Sequence, residues 1–211
     1  MAVGPLISRG RRTLLSLPAL SSVLVALLLA ACASLPPAQE RSAAEVRRMA
    51  DRTAQIYGLA PIHLLVSRNP DDPPGSYRRG YFTVSSITLM STFRDAIVAH
   101  ELGHYVLGHE APLHGDSSAE QERDYQQREL DANAKAVEIL IRAGNYTQAR
   151  ALKTMYDYLI GVQWALERHP SLDLRGHLPP CDEISDLLAR FPTQRDWTST
   201  LGCVPGGVGR G

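Results

Sequence analysis

His100-Glu101-Leu102-Gly103-His104 reads H-E-x-x-H in a stretch whose pattern predicts a helix. Residues four apart share one helical face, so His100 and His104 can present two imidazoles to a single metal ion. Glu101 is offset by roughly 100° about the axis, which places it to address a metal-bound water rather than the metal. The chemistry such a trio supports is zinc-assisted hydrolysis of an amide. Zinc lowers the pKa of its water and polarises the carbonyl, and the glutamate takes and returns the proton.

A catalytic zinc needs a third protein ligand and an open fourth position. Glu122, Asp124, Glu129 and Asp131 all compete for that place on composition. Glu129 is preferred because Asn133 follows one turn later on the same face. A polar side chain there can bond a ligating imidazole and fix its tautomer. Ala132 and Ala136 would let this segment approach the motif helix closely.

The elements that must carry these residues follow from periodicity. Val46, Met49, Ala50, Thr53 and Ile56 recur at three- and four-residue steps and predict a helix over 43–57, stopped by Gly58. Residues 62–67 read as a strand, 68–76 as a Pro- and Asp-rich loop, and 79–85 as a second strand whose edge would hold an extended substrate. The motif helix is expected over 92–107, opened by a Thr92/Asp95 capping box and ended by Gly108. Helices are expected over 120–143, 147–168 and 182–190. His109 would fall on the far side of a straight motif helix and reads as structural. His63, His114 and His177 have no motif around them. The class is α+β: mostly helical, with a small sheet beside the motif helix.

The chain has 211 residues, enough for one domain with a real core. Arg9, Arg11 and Arg12 precede an apolar stretch that ends Leu29-Ala30-Ala31-Cys32, the form of a secretory signal over 1–31. The ending resembles a bacterial lipobox, with Cys32 as the lipidated residue. Residues 32–42 read as a tether, 43–205 as the domain and 206–211 as a Gly-rich tail. With Ala at position 33, resemblance to known lipoproteins implies the outer membrane, facing the periplasm. Without residues 1–31 the chain carries 19 basic and 22 acidic side chains, a formal charge of −3. No basic face forms, which argues against a nucleic-acid partner. Cys181 and Cys203 are then the remaining cysteines and are expected to form a disulfide.

These motifs together resemble the zinc metallopeptidases of the HtpX and CAAX-prenyl-endopeptidase type, including their periplasmic lipoprotein members. The likeness runs from Gly80-Tyr81-Phe82-Thr83-Val84 through His100–His104 to His109. It resumes at Glu129-Leu130-Asp131-Ala132-Asn133, continues through Ile141–Tyr146, and ends in His169-Pro170 with Arg175 six residues after the His. The family has Asp where this chain has Asn133, and the spacer from His104 to Glu129 is short. ImmA/IrrE-like peptidases share both traits and are the competing resemblance. The resemblance implies a gluzincin-like zincin domain holding one zinc on His100, His104 and Glu129. It implies Glu101 as the general base, His169 as a second catalytic residue that stabilises the oxyanion by hydrogen bonding or gates the metal, and Arg175 as a supporting residue near the cleft. The implied function is a lipid-anchored periplasmic zinc metalloendopeptidase acting on peptides or misfolded envelope proteins. The alternative is a catalytically weak zinc-binding chaperone or adaptor of the same fold. Either could dock an envelope protein partner.

Overall fold

In the computed structural model, residues 35–78, 80–115, 117–169 and 177–192 are described. Helix α1 (Pro37–Tyr57) comes first, then strands β1 (His63–Ser67), β2 (Gly75–Arg78) and β3 (Tyr81–Ser85). A 3-10 turn (Thr88–Met90) leads to the motif helix α2 (Arg94–Leu107). Helices α3 (Ser118–Arg142), α4 (Gln148–Arg168) and α5 (Pro180–Arg190) complete the described elements. The protein is mostly helical with one small mixed sheet, as the α+β reading expects.

Expectations about the tether, the loop and the substrate-holding edge need correction here. Residues 37–42, read as tether, form the start of α1. Proline is compatible with the first helical position, where its missing N–H has no partner to lose. Ser42 and Ala43 are already buried, and the Ser42 hydroxyl donates to the Leu89 carbonyl. The expected loop over 68–76 stops short, because Gly75–Arg78 is a strand. The sheet order is β1-β3-β2, with β3 parallel to β1 and antiparallel to β2. Tyr81–Ser85 is therefore the central strand, its backbone paired on both sides, and cannot hold a substrate by edge pairing.

The motif helix lies at the centre of the core. Ala96, Val98, Ala99 and Leu102 are fully buried against the sheet and the flanking helices, where Phe82, Val84, Ala132, Ala136 and Val137 are equally inaccessible. The expected Thr92/Asp95 capping box is absent, since the N-cap is Phe93 without a side-chain bond. Asp95 is instead taken by Arg94 and by the Tyr146 hydroxyl. Arg94 also reaches Glu45 at 2.8 Å, tying the start of α2 to α1. The capping box appears on α3, where Ser117 and Glu120 satisfy each other's backbone N–H.

α2 and α3 approach closely at Gly103. A Cβ there would lie 2.8 Å from the Ala132 carbonyl oxygen and 3.2 Å from its Cα. Backbone cannot rotate away as a side chain can. Gly103→Val is expected to cost about 1–3 kcal/mol, the usual penalty of overpacking, read as a lower urea midpoint at unchanged slope.

Candidate metal centre

His100 and His104 rise one turn apart from α2, with their Nε2 atoms 3.1 Å from each other. The close α2–α3 approach brings Glu129 over both. Its Oε2 lies 3.1 Å from His100 Nε2, and its Oε1 lies 3.4 Å from His104 Nε2. One donor atom from each residue can be chosen so that all lie within 4.8 Å of one another. Glu129 is buried, and its Oε2 has no hydrogen-bond partner although two imidazoles flank it. A buried carboxylate oxygen left unpaired is costly unless something positive meets it. Two imidazole nitrogens and one carboxylate are also a donor set that suits a borderline divalent cation. His100, His104 and Glu129 thus form a group that can hold a metal ion.

The electrostatics agree. Burial opposes a charge on His100, but the adjacent Glu129 carboxylate outweighs it, helped by Glu101 and Glu183, and lifts its pKa to about 9. Burial would raise the Glu129 carboxyl, yet the two imidazoles hold it well below the usual carboxylate range. The carboxylate and the imidazole stabilise each other's charged forms, and the carboxylate offers its negative charge at the point where the imidazole nitrogens converge.

Both imidazoles are braced from behind. His100 Nδ1 meets Asn133 Oδ1 at 2.9 Å, the bond expected from the one-turn spacing to Glu129. His104 Nδ1 meets His109 Nδ1 at 2.9 Å. This corrects the purely structural reading of His109. The helix ends at Leu107, and Gly108, at φ 68°, turns the chain so that His109 folds back onto His104. Burial first, then the neighbouring His104 and Arg128, lower the His109 pKa to about 4, so the ring is neutral and one nitrogen can accept. Arg128 holds this loop by bonding the carbonyls of His109, Ala111 and Pro112 at 2.9, 2.6 and 2.8 Å. The sequence signal for His109 was present: a His directly after a helix-stopping Gly.

The group opens onto a cleft of about 720 Å³. One wall is Pro73–Tyr77, which includes the edge strand β2. Glu101 lines the cleft without joining the ligand group. Tyr158 of α4 and His177 line it too. Burial, then the charges of Glu101, Glu183 and Glu129, push the Tyr158 hydroxyl up, so it stays a donor. His177 Nδ1 lies 3.5 Å from Glu129 Oε2 and 3.3 Å from Glu183 Oε1. His169, expected near the cleft, is the exposed C-cap of α4 and is not part of the lining. α4 runs on to Arg168, ten residues beyond the cleft-lining Tyr158. Cys181, in the first turn of α5, is disulfide-bonded. Cys32, Arg175 and Cys203 lie outside the described residues.

No protein family, curated protein or solved structure matches the chain.

Proposed function

We propose that this protein is a zinc metalloendopeptidase. The observation that carries the reading is the convergence of His100, His104 and Glu129 within 4.8 Å, at the floor of a cleft that also holds Glu101. A zinc ion held there supplies Lewis acidity and a water of lowered pKa. Glu101, next to a ligand but outside the ligand group, accepts the proton from the attacking water and delivers it to the leaving amine. Tyr158 faces the cleft with a hydroxyl hydrogen that can stabilise charge developing on the carbonyl oxygen. The free edge of β2 aligns an extended segment by main-chain hydrogen bonds. The deciding experiment is hydrolysis of an unfolded protein substrate by wild type and by Glu101→Gln.

In this proposal the enzyme acts on peptides or misfolded proteins of a bacterial envelope. Lipid on Cys32 anchors it to the outer membrane, facing the periplasm. Among the described residues no helix is long and apolar enough to cross a membrane. Labelled fatty acid should be incorporated into wild type and lost in Cys32→Ser; incorporation that survives the substitution removes the anchor from the account.

A further inference from the structure

Glu183 is a buried carboxylate on α5, 3% exposed, and far in sequence from the motif. Two donors point at it. Asn133 Nδ2 donates to Oε2 at 2.9 Å, and His177 Nδ1 lies 3.3 Å from Oε1. An ionised carboxylate only accepts hydrogen bonds. Asn133 must therefore turn its NH2 toward Glu183 and its carbonyl oxygen toward His100. His100 Nδ1 must then carry a hydrogen, which makes Nε2, facing Glu129 and His104, the nitrogen that gives up its proton to bind a metal. By the same logic His177 carries its hydrogen on Nδ1. One carboxylate dictates the tautomers of two imidazoles in the cleft.

We propose that Glu183 is a positioning residue for the metal centre, supplying through the Asn133 amide the negative charge that orients His100 and makes it a stronger ligand. Asn133 is neutral and alone would brace the imidazole only weakly. Placed between His100 and Glu183, its amide is polarised, and the bond it accepts from His100 is strengthened. The inference rests on the zinc reading above.

Asn133→Asp alone does not improve the site, because two carboxylates would then face each other where a 2.9 Å hydrogen bond stood. The compensated exchange is Asn133→Asp with Glu183→Gln, which moves the charge one step closer to His100 and keeps an amide–carboxylate pair.

The test is zinc affinity by chelator competition, with the melting temperature of the metal-free protein as the control for folding. Glu183→Gln is expected to weaken binding about 10- to 100-fold, the usual effect of losing a ligand's outer partner. Asn133→Asp/Glu183→Gln is expected to return to wild-type affinity or better. Equal affinity in wild type and Glu183→Gln overturns the inference alone, as does a folded double variant that stays tenfold weak. If Glu183→Gln fails to fold, the double variant decides by the same criterion. A wild type that binds no zinc overturns both the metal reading and this inference.

Discussion

Glu101→Gln should leave zinc bound and reduce kcat/KM by about 10²–10⁴-fold, the range associated with a positioned general base. The amide keeps the side chain's shape beside Gly75, whose added Cβ would meet Glu101 Cγ at 3.0 Å, so the cleft wall is preserved. Metal content should match wild type, because Glu101 stands outside the ligand group. Cleavage at the wild-type rate would assign the activity to another site or a contaminant. The zinc-binding adaptor reading would then take first place.

The second large effect is on metal and stability together. A ligand that binds the folded chain alone stabilises it by about 4 kcal/mol at a thousandfold excess over Kd. Zinc should raise the melting temperature of wild type in a concentration-dependent manner, and His100→Ala should abolish the dependence. The binding is also linked to protons. The Glu129 carboxylate holds His100 at about 9, so zinc competes with a proton for its Nε2. The sign follows: below about pH 9 affinity falls as pH falls, by up to about tenfold per unit, with about one proton released per zinc; above it the dependence flattens. Calorimetry in buffers of different ionisation enthalpy counts that proton. A pH-independent affinity between 7 and 9 would mean that zinc displaces no proton from His100 in that range.

What could be read in the sequence is what is local. The i, i+4 spacing of His100 and His104 places both on one face of α2. The same spacing links Glu129 to Asn133, and the small residues Ala132 and Ala136, both fully buried, mark the face of α3 that approaches the motif helix. The buried positions of α1 also followed the periodicity, Val46 to Thr53. What could not be read depends on non-local partners. β2 was hidden behind Pro73-Pro74-Gly75, since turn chemistry dominates a window whose strand exists only by pairing with β3. Thr92 looked like a cap until Asp95 found Arg94 and Tyr146. His177 and Glu183 carry no motif and enter the site only because α5 packs against α3 and α4. His169 was carried by a resemblance of sequence, and the helix continues past the cleft before reaching it.

The brevity of β2 has a consequence for selectivity. Its four residues, Gly75–Arg78, span only ~13 Å, and alternate residues of a strand turn their backbone groups to opposite sides. About two of them face outward, away from β3. Under the proposed function, a guest chain laid along that edge would be measured by a short ruler that senses whether a backbone is extended and unpaired, and little of its side-chain identity. A native protein, whose backbone is already engaged, offers it nothing to grip. Discrimination would then come from the folding state of the client rather than from a consensus around the scissile bond, and cleavage sites mapped on an unfolded substrate should scatter in sequence while vanishing from the same chain once it folds.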